Sequence, residues 1–482
     1  MVKYIRAYIF EILIFSYIVG NAYVLVNQKD YFYQFNMIPV AVIMAYIAIF
    51  HLQRLVFFLA FATPLSISLK ELHITEALDM SLPSEPIMIV IMLLYIFNDI
   101  SFGITDKKFF KHPITILILI QLSWILITSF TSSDVVVSVK FLISRLWFVF
   151  SCYVIMPILF KNRDNIIRFV LCYGSGLLIV VIITTIKHAA FNFNDKASDW
   201  IVSPFYNDHT AYGAALAMFF PVTFGILLMK NISPITRIYT LCLFLVFSLG
   251  LVLSFARASW LSLVICVGIL FTLALGFKFR TLLISFIIIG SLFYAFQTEI
   301  LIALGRNNTD AEGGFANNIE SVTNISTDAS NLERLNRWSC AIRMFEDKPL
   351  MGWGPGTYMF KYAPYQLSRE KTIISTNFGT NGNAHSEYLG PLAEQGILGL
   401  VIMLVLLLYT TSLGYKLTYS LQDRDDKILL ISIFVGIMSY LIHGFLNNFL
   451  DTDKLSLPFW AYLAVLVTMD IYYTKKPLSN KA

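Results

Sequence analysis

Along the 482 residues, apolar stretches of membrane-spanning length recur, and the polar stretches between them are short with one exception. Runs at about 5–26, 36–50, 55–69, 86–103, 113–130, 140–160, 166–187, 209–229, 236–254, 258–276 and 281–297 precede a hydrophilic segment of about 90 residues. Three more runs close the chain, at about 395–415, 428–446 and 456–473. A hydrocarbon core about 30 Å thick takes ~20 apolar residues per helical span. The pattern therefore predicts an all-α polytopic membrane protein with 12–14 transmembrane helices, the range reflecting the second, third and fourth runs, short enough to be re-entrant or merged. The expected organisation is an N-terminal bundle over 1–297, a large loop with short helices over 298–394 and a C-terminal bundle over 395–482.

Composition agrees: 57% of residues are hydrophobic and 13% charged, against roughly 45–50% and about 25% in soluble domains, which excludes a soluble enzyme. A net charge of +5 spread along the chain gives no support to a nucleic-acid partner. The distribution of basic residues is more telling. With both termini in the cytoplasm, 19 of the 35 Lys and Arg fall inside, eight in the long segment and eight elsewhere. By the positive-inside rule, this puts the long segment on the exoplasmic side. The first run carries Lys3, Arg6 and Glu11 and lacks a small-residue cleavage site, so it reads as a retained span. Cys152, Cys172, Cys242 and Cys266 lie in apolar runs and read as small buried hydrophobes; with Cys340 they make no disulfide framework or metal spacing.

The long segment divides in two. From Arg306 to Thr327 it lacks the apolar residues for a core, whereas Ser330-x-x-Glu333 has the form of a capping box and opens a helix over about 330–346. Leu332, Leu335, Trp338, Ile342 and Phe345 recur at helical steps and predict its buried stripe. On this helix Arg334 and Arg337 stand about 60° apart, with Arg343 nearly opposite. Two guanidinium forks can thus converge on one phosphate, whose oxygens they bind bidentately; the bland alternative is a solvated polar face. Arg257, in a connection between spans too short to leave the membrane surface, is either functional or snorkelling. Arg145, within a span, reads as a weaker functional candidate or a structural ion-pair partner. His385, in Asn383-Ala-His385-Ser-Glu387, is either a general base near neutral pH or an ordinary interfacial residue. His209, beside Asp208, and His443, near Asn447, Asn448 and Asp451, could line a shared cavity; His73 and His188 show no cluster. Gly352-Trp-Gly-Pro-Gly356 lacks the Lys-Ser/Thr of a phosphate loop and reads as a turn. Its aromatic neighbours, from Trp353 to Tyr365, suit either sugar stacking or packing.

Taken in order, Arg334-Leu-Asn-Arg337-Trp338, the stretch from Ala341 through Pro349 to Gly354, His385-Ser-Glu-Tyr-Leu389 and Glu394-Gln-Gly396-Ile-Leu-Gly399 resemble the O-antigen ligase and O-antigen polymerase superfamily. Pro64-Leu-Ser-Ile and Leu82-Pro-Ser-Glu further resemble its Bacteroidetes-like members. The family pattern has one arginine four residues before the tryptophan, here Arg334, so Arg337 is an extra. The resemblance implies a metal-independent, inverting glycosyltransferase without cofactor at the periplasmic face of the bacterial inner membrane. It would move a glycan from undecaprenyl-diphosphate to a hydroxyl acceptor, whether lipid A-core, growing polysaccharide or protein. It further implies that Arg257 and Arg334 hold the diphosphate, that His385 takes the acceptor proton, and that Arg337, Glu387 and His209 assist binding, Glu387 by orienting His385. A protein O-oligosaccharyltransferase is the alternative within this chemistry, and a lipid-linked glycan flippase is the rival outside it.

Overall fold

The computed structural model describes residues 2–32, 50–72, 80–104, 106–281, 329–372 and 382–474, with isolated positions 35–36, 39, 46, 283–284, 288, 291 and 375. Most of the runs at 36–50 and 281–297, all of the polar stretch 306–327, and His73 lie outside the described residues. The chain forms two compact units, Met1–Val56 and Phe57–Ala482. In the first, helix α1 (Val2–Asn27) carries Tyr17, which donates to Asn36 Oδ1 at 2.5 Å and stacks on Phe35.

Helix α2 (Leu52–Ala62) leads into the second unit. There the helices are α3 (Ser84–Phe102), α4 (Pro113–Phe130), α5 (Val135–Val149), α6 (Arg163–Ala189), α7 (His209–Leu228), α8 (Pro234–Leu253), α9 (Arg257–Ala274), α10 (Ala329–Asp347), α11 (Tyr358–Lys361), α12 (Leu389–Ser420), α13 (Arg424–His443) and α14 (Asp453–Thr468). Among the described residues ten helices are long and apolar enough to cross a membrane, so the protein is an all-α, multi-pass membrane protein. The run at 55–69 does not form a span. Its helix stops at Ala62, a single turn holds Pro64, and Ile67–Ser68 then pairs antiparallel with Ser81–Leu82. Proline cannot donate to a continuing helix, and the hydroxyls of Ser66 and Ser84 instead converge on the buried carboxylate of Asp453 at the start of α14.

The innermost helices are α7, α13 and α14, with 72%, 78% and 83% of their spans buried, whereas α8 and α9 bury only 28%. That gradient sorts core from periphery. Small residues set the central contacts: Gly225 of α7 faces Ser432, and Gly436 of α13 faces the carbonyl of Met218, which lets the two backbones approach closely. The cysteines follow the gradient and not their apolar context alone. Cys152 and Cys266 are buried, but Cys172 is half-buried and Cys242, on the peripheral α8, is exposed.

One break in this architecture positions the site. At Gly396, α12 takes φ +70°, so its helical ladder is interrupted and carbonyls of the preceding turn need other donors. The turn at 349–354 supplies them: Trp353 N donates to Ala393 O at 3.0 Å and Gly354 N to Glu394 O at 2.8 Å, while Ile397 N donates back to Pro349 O at 2.9 Å. The glycine-rich segment is therefore a turn, as expected, and its function is to close this break. A Cβ at Gly396 would lie 2.2 Å from the carbonyl oxygen of Leu350. Gly396→Ala should consequently lower stability by about 1–3 kcal/mol, from left-handed strain and this clash. A thermal midpoint equal to wild type in detergent would refute the interlock.

Candidate functional site

Helix α10 extends the predicted 330–346 by one residue at each end, but its buried face is not the predicted one. Leu332, Leu335 and Ile342 are exposed, whereas Glu333, Asn336, Arg337, Cys340, Ala341 and Met344 are buried. The polar members of that face are buried because they satisfy one another. Glu333 Oε1 accepts from Arg337 Nε at 2.6 Å, and its Oε2 accepts from Ser375, Thr372 and Asn336. Asn336 also donates to Gln366. Glu333 thus serves Arg337 instead of closing a capping box. Burial pushes its carboxyl up, but the hydrogen bonds from Ser375 and Arg337 outweigh burial and hold it below the ordinary range. The small residues of the same face pack against Tyr358 and Tyr362.

The Arg337 guanidinium lies 3.9 Å over the Tyr362 ring, and a Cβ at Gly382 would stand 1.6 Å from its Nη1, which is buried without a hydrogen-bond partner. Arg334 lies half-buried on the flank of the same helix, next to Trp338. Arg343, expected on the far side, is there, paired with Glu370 and donating to Tyr365 O.

His385 lies in the segment that Gly382 begins. Its backbone takes φ +48°, a left-handed conformation unusual for a side chain with a Cβ, held because His385 N donates to Asn383 Oδ1 at 3.0 Å and Trp338 Nε1 donates to His385 O at 3.3 Å. Burial first, then the charges of Arg334 and Arg337, push the imidazole down to about 4, with Asp208 and Glu333 pulling the other way. The structure therefore brings Arg334, Arg337 and His385 into one electrostatic neighbourhood. Two residues on, Glu387 is buried and uses Oε1 to accept from Tyr440 at 2.5 Å, Phe449 N at 2.8 Å and Leu450 N at 2.9 Å. These bonds fasten the segment to the connection between α13 and α14. Burial and the nearby Asp451 push the Glu387 carboxyl up.

Arg257 is the first residue of α9, reached from α8 by a three-residue turn in which Phe255 takes φ +51°. Gly213 of α7 lets this turn close in: a Cβ there would lie 2.5 Å from that of Ala256. The next residue is Ala258; at the end of α13 the His443 ring meets Asn447 at 3.1 Å, and the charges of Asp208 and Arg334 both bear on it. Asp208 is thus the residue sequence reasoning passed over in favour of its neighbour. It caps α7 by accepting from Ala211 N and stands between the two histidines' fields, whereas His209 turns to Asp199 at 2.6 Å. The Asp-x-x-Ala cap was the available signal. Arg145 is a buried ion-pair partner, donating to Asp451 at 2.6 Å and to Leu450 O at 3.2 Å. Trp353 is spent on packing, its Nε1 donating to Met344 O and its ring under Lys348. Among the described residues no three His, Cys, Asp or Glu side chains cluster to share a metal ion.

These elements define a multi-pass helical membrane protein that gathers arginines, histidines and an aspartate at one end of its bundle. Residues 242–404, about a third of the chain, match the family model described as O-Antigen ligase. The matched stretch runs from α8 into α12, taking in Arg257, Arg334, Arg337, His385 and Glu387 but not His209. A Haemophilus influenzae protein described as uncharacterized is 24% identical over 200 residues, covering 41% of this chain and 48% of that relative. The chain thus matches about half the length of this curated relative.

The depressed imidazole makes a pH prediction with a definite sign. An unfolded chain takes up the His385 proton near 6.5 and the folded one near 4, so His385 costs the fold stability as pH drops across that window. His385→Asn, which tolerates the left-handed backbone, should gain stability relative to wild type between pH 7.5 and 5. Parallel thermal midpoints across that range would contradict a buried neutral imidazole.

Proposed function

We propose that the protein transfers a glycan from an undecaprenyl-diphosphate carrier to a hydroxyl acceptor at the periplasmic face of the bacterial inner membrane, with inversion and without a metal ion. The observation that carries this reading is that His385, buried, is tied by Trp338 Nε1 at 3.3 Å to the helix that also bears Arg334 and Arg337. Arg334 and Arg257 hold the diphosphate. His385 removes the proton from the acceptor hydroxyl as its oxygen attacks the anomeric carbon from the face opposite the leaving group. The bond from that carbon to the phosphate oxygen breaks, its electron pair passes to the diphosphate, and the arginines stabilise the charge that builds there.

The supporting residues take different roles from those first expected of them. Arg337, tied to Glu333 and stacked on Tyr362, contributes charge and places the 382–385 segment. Glu387, with Oε1 bonded to Tyr440, Phe449 and Leu450, braces that segment. Asp208 supplies negative charge that offsets the arginines at His385, while His209 pairs with Asp199.

The test uses purified protein with undecaprenyl-diphosphate glycan and acceptor. Arg257→Ala and Arg334→Ala should each reduce turnover by about 10²–10³, and His385→Ala by about 10²–10⁴, with elution profiles and thermal midpoints showing a folded protein. Wild-type turnover in all three would sink the mechanism.

A further inference from the structure

We propose that the outward face of α10, with the turn that follows it, lies in the headgroup–acyl boundary of the bilayer, which makes the helix bearing Arg334 and Arg337 an interfacial helix. Glu333, Asn336, Arg337, Cys340, Ala341 and Met344 form its buried side. At 100° per residue Leu332, Leu335 and Ile342 fall opposite them, and all three are exposed, as are Leu350 and Met351 in the turn. A large apolar side chain exposed singly is ordinary, whereas a row of them marks a surface that something covers.

What covers this row follows from its neighbour. Helix α12 is 32 residues long, about 48 Å at ~1.5 Å per residue, against a hydrocarbon core of about 30 Å. Towards its far end Lys416 pairs with Asp470 at 3.0 Å. One span, roughly 20 residues, counted back from Lys416 reaches Ile397, directly after the break at Gly396. From there Leu398, Val401, Val405 and Leu408 are exposed at steps of three and four residues, a helical face turned to lipid. Ile397 N donates to Pro349 O at 2.9 Å, so the turn with Leu350 and Met351 is fastened where that face enters hydrocarbon. The row on α10 continues from the turn, and this continuity makes the bilayer its occupant in preference to a second protein.

The polar groups of α10 set its depth. Glu346 shares the outward face in the last turn and is exposed; a carboxylate is tolerated among headgroups and costly in the core. Interfacial helices sink an apolar face about 5–10 Å and keep a polar face opposite. Here that polar face is turned into the protein, where Glu333 and Arg337 pair. Arg334, on the flank between the two faces, then lies at headgroup height.

The experiment uses the full-length protein in phosphatidylethanolamine–phosphatidylglycerol nanodiscs, with Cys172→Ala and Cys242→Ala removing the cysteines that are not buried. A nitroxide label is placed at Leu335→Cys, Ile342→Cys or Leu350→Cys, and at Val405→Cys as the reference in hydrocarbon. Power-saturation electron paramagnetic resonance compares collisions with oxygen, which dissolves in lipid, and with a nickel chelate, which stays in water. All three labels should collide more with oxygen than with the chelate and lie about 5–10 Å into the headgroup–acyl boundary, shallower than the reference. Equal or greater collision with the chelate puts the face in water and overturns the assignment. Weak collision with both reagents means that another part of this chain or a second protein covers it, and overturns the assignment equally.

Discussion

A helix in a bilayer that gives up part of its backbone ladder must recover those hydrogen bonds from protein, since lipid offers none. Helix α12 gives them up at Gly396, and the turn at 349–354 makes the replacement. Much of the site geometry follows from that exchange. The turn continues from the C-terminal end of α10, so docking it anchors the helix that bears Arg334 and Arg337. The segment 382–388 runs directly into α12, so the same break fixes where His385 enters the bundle. Ser133 N adds a third tie by donating to Trp353 O at 2.9 Å, which joins the α4–α5 connection to the turn.

Within this frame the charges are placed at different costs. Removing a charge from water costs several kcal/mol unless it is compensated, and Arg337 and Arg145 have compensation built in, from Glu333 with Tyr362 and from Asp451 with Leu450 O. Their geometry is fixed before any ligand arrives. Backbone strain lies close to the same residues. Phe255 and His385, both left-handed with a Cβ, lie two residues before Arg257 and at the candidate base itself. Each such residue costs of order 1–3 kcal/mol and persists only where its surroundings over-determine it. For His385 those surroundings are visible: Asn383 and Trp338 bind its backbone on either side.

Much of this was legible in the sequence, for a physical reason. Spans are long and apolar because a backbone in hydrocarbon must be helical, so α3 to α9 and α12 to α14 follow directly from hydropathy, as does α10 from its period. What sequence could not reveal was the sidedness of α10. The inward face carries Glu333, Asn336 and Arg337, and these are tolerable inside only because Gln366, Thr372 and Ser375 meet them from 30 to 42 residues away. With the polar face thus satisfied, the apolar stripe of Leu332, Leu335 and Ile342 is left on the outside. The hydrogen bond that Glu387 accepts from Tyr440, 53 residues further on, was equally invisible in the sequence. Arg145 and Asp451, 306 residues apart, are the extreme case. Residue type and spacing made Arg334 and His385 candidates and the resemblance gave them roles, but which groups are spent on structure depends on long-range partners.

The electrostatics of His385 tie these strands together. An imidazole held near 4 is a weak base. Part of that depression comes from Arg334 and Arg337, and on the proposed mechanism a diphosphate bound at Arg334 offsets much of their positive field. The pull of Asp208 and Glu333 would then act with less opposition, and the imidazole would become more basic as the donor arrives. The base would strengthen when there is a glycan to transfer and weaken once the diphosphate leaves. Desolvation, the largest cause of the depression, would remain, so the bound-state value would still lie below that of a histidine in water. On the proposed mechanism the arginines would have two effects of one origin, stabilising the leaving charge and timing the base.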